Sequence, residues 1–174
     1  MAILPIRTFG DPVLKEKARP VEAFDEALQR LAADMIETMQ EAPGVGLAAP
    51  QVGRSIRLLV YDVGDGGHAL INPTLYNEWG EQIGEEGCLS LPGLYYPLRR
   101  FAHVVAEGYD ARGNAVTTPA EDLLARVLQH EVDHLDGVLF VDRLEGKERR
   151  QALAQLRDQA LGLADERHDP ARAL

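Results

Sequence analysis

The chain has 174 residues, a length that sets a prior of one domain and is long enough to bury a real core. Hydrophobic residues at 45% and charged residues at 26% are ordinary globular values and exclude collagen-like, mucin-like and wholly disordered chains. The formal net charge of −10 repels phosphate backbones and argues against general binding of DNA or RNA. Acidity is concentrated ahead of residue 147, because residues 147–174 carry 6 basic against 5 acidic side chains. Cys88 is the lone cysteine, so an intrachain disulfide is excluded and a reducing compartment is expected. The opening MAILPIRTFGDP has no basic head followed by a long apolar stretch, and no apolar run reaches the ~18 residues of a membrane helix. A soluble, cytoplasmic protein that touches no membrane is expected.

The first strong element covers residues 24–40, where Leu28, Leu31, Ala32, Met35, Ile36 and Met39 recur at helical spacing and give one apolar stripe. Pro43 and Gly44 end it. A glycine-rich segment, GVGLAAPQVG over residues 44–53, follows. Strands are expected at 57–62, 69–71, 74–79, 104–110 and 115–117, with a hairpin turn at 64–67. A second helix is expected to start at Thr118-Pro119-Ala120-Glu121, with Thr118 as N-cap, Pro119 in the first turn and Glu121 closing a capping box. Leu123, Leu124, Val127, Leu128, Val132 and Leu135 make it apolar on many sides, the mark of a centrally packed helix. Gly137 stops it. A third helix is expected over 147–161, and 164–174 reads as a frayed tail. The fold class is α+β: one domain over residues 1–174, with antiparallel strands packed around a central helix and helices at each end.

On the central helix stand His130-Glu131-Val132-Asp133-His134. Two histidines four residues apart on a helix point the same way and can share one metal ion, with the glutamate between them placed to handle the proton of a water. A solvated helix turn with two ordinary histidines is the plain alternative, opposed by the apolar character of this helix. A hydrolytic metal site takes three protein ligands, so the third decides the class. One large group of zinc proteases places a histidine where Phe140 stands, so that assignment fails. Another uses a downstream glutamate, for which Glu145, Glu148 and Glu166 remain; capping accounts for the first two. Cys88, in EEGCLSLPG over residues 85–93, is the other candidate. A lone cysteine is commonly a small buried hydrophobe, but a thiolate with two imidazoles makes a soft three-ligand set.

The segments GVGLAAPQVG (44–53), EGCLSLPG (86–93) and QHEVDHLDG (129–137) resemble the three signature motifs of peptide deformylases, in the family's order and spacing. The resemblance covers essentially the whole chain, with no departure at positions the family uses for chemistry. It implies removal of the formyl group from the N-terminal formylmethionine of newly made polypeptides, with release of formate. It also implies that Cys88, His130 and His134 bind one divalent metal ion, natively Fe²⁺ with Zn²⁺, Ni²⁺ or Co²⁺ tolerated. Glu131 would serve as general base and then acid for the attacking water. The Gln51 side-chain amide and the Leu89 backbone N–H would donate to the oxyanion. Val45 and Gly46 would pair with substrate backbone as an added strand, and Gly87 would allow close approach beside the cysteine.

Around these, Glu86 is expected to pair with Arg100 and stiffen the cysteine strand. Asp133 either orients a histidine or faces solvent. Tyr95 and Tyr96 either border the cleft or pack at its rim, while His68, His103 and His168 belong to no motif. A catalytically silent relative attached to ribosomes is the rival from another class, opposed by Glu131, which a purely structural metal site does not require. In the third helix Lys147, Arg149, Arg150 and Arg157 outnumber Glu148 and Asp158. That is a weak attraction for ribosomal RNA, and an ordinary solvated face accounts for it better. A monomer is expected.

Overall fold

A computed structural model describes residues 2–163; the expected tail at 164–174, with Glu166 and His168, lies outside them. Helix α1 (Glu26–Glu41) is capped by Asp25, whose carboxylate accepts from Leu28 N–H. Strands β1 (Gly46–Ala48), β2 (Leu58–Tyr61), β3 (His68–Trp79), β6 (His103–Tyr109) and β7 (Ala115–Glu121) form an antiparallel five-stranded sheet in the order β1-β2-β3-β6-β7. A second antiparallel pair, β4 (Gln82–Cys88) with β5 (Leu91–Arg100), stands apart from it. Helix α2 (Asp122–Leu135) follows β7 directly, and α3 (Gly146–Ala160) ends the described chain.

The run LLVY in β2 is apolar throughout because both faces of the sheet are covered. Leu58 and Val60 pack with Leu28, Met35 and Met39 of α1, while Leu59 and Tyr61 pack with Ala125, Val127, Leu128 and Leu135 of α2. A third cluster joins Leu91, Leu94 and Leu98 of β5 to Phe140, Leu144, Ala152 and Leu156. Helix α2 therefore runs through the middle of the molecule, as its many-sided apolar pattern required. Burying a leucine or valine side chain contributes about 1.5–3 kcal/mol, so Leu59, Tyr61, Leu70, Val104 and Ala106 of the five-stranded sheet hold the apolar face of α2.

Two sequence expectations are corrected. The second helix starts at Asp122 rather than Thr118, and no side-chain cap forms at its N-terminus. Residues 115–121 instead pair with β6 along their whole length, Val105 facing Pro119 and Ala106 facing Thr118. Seven ladder positions outweigh one capping box, and β7 is an outer strand, where a proline's missing N–H is tolerated. The chain turns from strand to helix at Asp122, which takes φ 50° and donates its N–H to Ala102. The strands expected at 69–71 and 74–79 are one strand, kinked at Asn72 (φ 51°), whose side-chain amide ties both the N–H and the carbonyl of Val21. The β4–β5 hairpin carries no simple alternation in its sequence, because Gly84, Gly87, Pro92, Gly93 and Pro97 interrupt it.

Candidate metal centre

Three segments meet around one buried point. Cys88 ends β4 immediately before the tight turn at Leu89-Ser90. His130 and His134 project from one face of α2. Gln51 lies in the short 3₁₀ turn Ala49–Val52 that follows β1. All four side chains are buried. The N-terminal segment braces two of these segments, since Arg7 N–H donates to the Gln51 carbonyl and Phe9 N–H to the Ser90 carbonyl.

Cys88 Sγ and one ring nitrogen from each histidine all lie within 4.8 Å of one another. Cys88 Sγ is 3.4 Å from His134 Nε2, and the two Nε2 atoms stand 3.2 Å apart. Donors around a tetrahedral ion with bonds of about 2.0–2.3 Å stand about 3.3–3.7 Å apart, so the cluster has the size a single ion requires. Its donor chemistry fits as well. Glu86 Oε1 lies 2.8 Å from His130 Nδ1. Burial favours the neutral acid at Glu86, but hydrogen bonds from Arg100 and His130 hold its carboxyl well below the usual range. A carboxylate only accepts, so Nδ1 carries the proton and the Nε2 lone pair is left facing the sulfur and the second histidine.

Glu131 is wholly buried, and neither carboxylate oxygen has a hydrogen-bond partner. Burial raises its carboxyl to about 7, against the opposing pull of His130. His134 Nδ1 is likewise buried without a partner. Gly46 lies against this carboxylate: a Cβ there would sit 2.4 Å from Glu131 Oε1. Any side chain at this position would displace the Glu131 carboxylate.

Gln51 accepts from Ala48 N–H through Oε1, which fixes its amide so that Nε2 points to Ser90 Oγ at 3.1 Å and Cys88 Sγ at 3.7 Å. Leu89 follows Cys88 in the turn, and Gly87 precedes it at a break in the β4–β5 register. Val45 enters β1 with its carbonyl taken by Asp62 N–H. Alternation along an outer strand then directs the backbone groups of Gly46 away from β2, toward the open edge.

The expected Glu86–Arg100 pair is present and bidentate, at 2.8 and 2.9 Å. Asp133 does neither of the two things weighed for it. It is buried and binds Arg100 Nη1 at 2.7 Å and Arg143 Nε and Nη2 at 2.6 and 2.7 Å, since two guanidinium groups converge on it. Glu145 and Glu148 sit at the start of α3, Glu145 making no side-chain cap bond, and neither joins the Cys88 cluster. Tyr96 packs at the rim against α3, its hydroxyl donating to Gln155. His68 stacks on Tyr61 and His103 on Trp79, away from the cluster. Ser90 and Arg126 are the site contacts that motif reading passed over. Arg126 carried a signal, a charge on the apolar helix one turn before His130.

A buried Cys-His-His cluster beside an unpartnered glutamate, carried on the central helix of an α+β fold, defines a hydrolase of the metal-dependent class. The family model for polypeptide deformylase matches residues 3–150. A peptide deformylase of Acidothermus cellulolyticus is 57% identical over 160 residues, covering 91% of this chain and 88% of the relative. The crystal structure of a Legionella pneumophila peptide deformylase superposes with a TM-score of 0.86 at 42% identity, covering 94% of this chain and 99% of that one. An Ehrlichia chaffeensis peptide deformylase solved in complex with actinonin gives a TM-score of 0.86 at 35% identity, over 91% of this chain and 98% of that one. The chain belongs to the peptide deformylase family.

Proposed function

We propose that this chain, as one catalytic domain, removes the formyl group from N-terminal formylmethionine of newly made polypeptides by adding water across the formyl amide. Formate and a free amine leave. The observation that carries the reading is Glu131, a carboxylate with both oxygens unpartnered in a fully buried site beside Cys88, His130 and His134. Burying such a group without partners is costly, and a structural role gives no return for it. Cys88 Sγ and the Nε2 atoms of His130 and His134 would hold one divalent ion, with Fe²⁺ proposed as the native one and Zn²⁺, Ni²⁺ or Co²⁺ as substitutes. When bound, such an ion supplies Lewis acidity that brings the acidity of a water toward neutral pH.

The chain's own groups do the rest. Glu131 takes the proton of the attacking water at a carboxylate oxygen and returns it to the departing amine nitrogen. The Gln51 amide and the Leu89 N–H donate to the oxygen that gains charge at the formyl carbon, a contribution of about 3 kcal/mol per donor. The open edge of β1 at Gly46, bordered by Val45, pairs with the substrate backbone, and Gly87 leaves room beside Cys88. No helix among the described residues is long and apolar enough to cross a membrane; the proposed setting is the cytoplasm, where newly made polypeptides are met, and the proposed state is a monomer. The test is formate release from a formylmethionyl tripeptide by protein loaded with Fe²⁺ without oxygen. Turnover that Glu131→Ala abolishes supports the reading, and metal-loaded wild type that releases no formate sinks it.

A further inference from the structure

Glu86 is saturated. Its Oε2 accepts from Arg100 Nε at 2.8 Å and from Arg126 Nη1 at 2.6 Å. Its Oε1 accepts from Arg100 Nη2 at 2.9 Å and faces His130 Nδ1 at 2.8 Å. Arg126 and His130 are four apart on α2, so the helix grips one carboxylate of β4 at two points a turn apart. Arg126 also donates to the Leu98 carbonyl of β5 at 3.0 Å. Its seat is made by Gly84, where a Cβ would stand 3.2 Å from Nη2. That same Nη2 is buried without a partner.

We infer that Arg126 is a positioning residue for the metal centre: its cation on Glu86 Oε2 turns Oε1 toward His130 Nδ1 and thereby presents His130 Nε2 to the ion. Arg100 straddles both oxygens from β5. Arg126 adds a second cation on Oε2 from the same helix that carries His130, which fixes the carboxylate relative to that helix. Arg126 also ties α2 to β5 through the Leu98 carbonyl, so its structural and positioning roles are separated by metal affinity measured on folded protein and not by stability. Outer partners of ligating histidines commonly set metal affinity by about 10–100-fold.

This inference rests on the metal-site reading, and the experiment separates the two. Metal-free wild type, Arg126→Met and Arg126→Gln are titrated with Co²⁺ against a competing chelator. The thiolate-to-cobalt absorption band reports binding, and ¹⁵N shifts of His130 in the Zn²⁺-loaded protein report whether Nδ1 keeps its proton and its hydrogen bond to Glu86. Arg126→Met is expected to lower the melting temperature of the metal-free protein, because Glu86 stays buried and charged with one cation fewer. At a temperature where it is folded, it is expected to loosen the hydrogen bond from His130 Nδ1–H to Glu86 and to bind Co²⁺ about tenfold or more weakly. Arg126→Gln, which keeps an N–H donor without the charge, falls between. Wild-type Co²⁺ affinity in either folded variant overturns the inference, and should Arg126→Met not fold, Arg126→Gln decides. Wild type that binds no Co²⁺ overturns the metal reading itself.

Discussion

Helix α2 carries two buried polar faces, and they are built on opposite rules. With about 3.6 residues per turn, Gln129 and Asp133 share one side while His130, Glu131 and His134 share the other. On the first side the bonding is complete. Gln129 accepts from Phe101 N–H and donates to the carbonyls of Phe101 and Ala125, and Asp133 is held by Arg100 and Arg143. A cavity of about 630 Å³ adjoins this side, touching Arg57, Phe101, Val132 and Asp136 and none of the metal donors. On the second side both Glu131 oxygens and His134 Nδ1 are buried without partners. On this helix the satisfied groups tie elements together, while the unpaired atoms of Glu131 and His134 gather where a ligand and a proton would be handled. Arg126 Nη2, one turn before His130, is the other buried unpaired side-chain atom of α2 among the described residues. That cavity is therefore a poor guide to the chemistry here, and the unmet hydrogen bonds of Glu131 and His134 are a good one.

Substitutions on the two faces should separate accordingly. The largest effect is expected from Glu131→Ala, which should lower kcat for formate release by at least about 10²–10⁴-fold while metal analysis finds the ion still bound. Cys88→Ala should instead lose the metal. Retention would promote a downstream glutamate as ligand and with it the protease alternative. Removing the ion from wild type with a chelator should abolish turnover and lower the melting temperature. The stability lost is about 2.7–4.1 kcal/mol if the ion is supplied at 100–1,000 times its dissociation constant, and readdition of Fe²⁺ or Ni²⁺ should restore both.

Gly46→Ala comes next. A Cβ 2.4 Å from Glu131 Oε1 must push the carboxylate aside, so kcat should fall while the metal content of the purified protein stays that of wild type. A Gly46→Ala enzyme with full turnover would show that Glu131 has room to spare. The smallest catalytic effect is expected on the saturated face. Gln129→Ala should cost about 1–3 kcal/mol of stability by leaving the Phe101 N–H unpaired, the carbonyl keeping its bond from Gln82, read as a lower denaturation midpoint, with turnover close to that of wild type.

Much of this was legible in the sequence because two features were local. The i, i+4 spacing of His130 and His134 on an apolar helix needs no tertiary information, and the apolar run of β2 announces a sheet covered on both faces. Cys88 was harder, since it lies 42 positions before His130 and nothing local joins a hairpin to a helix; the three motifs together pointed to it. The boundary at Thr118 failed because capping signals are local, whereas the β6 ladder that claims residues 115–121 comes from elsewhere in the chain. The role of Gly46 against Glu131 was hidden for a similar reason: a glycine on an edge strand explains itself locally, and only the packing of α2 behind β1 reveals the second constraint.

The most direct test compares wild type with Glu131→Ala, both loaded with Fe²⁺ without oxygen and assayed for metal content and for formate released from a formylmethionyl tripeptide. Equal metal in both proteins with formate only from wild type is the expected result. Equal formate from both, or none from wild type with its metal in place, would contradict the assignment of this buried carboxylate to the proton transfers of deformylation.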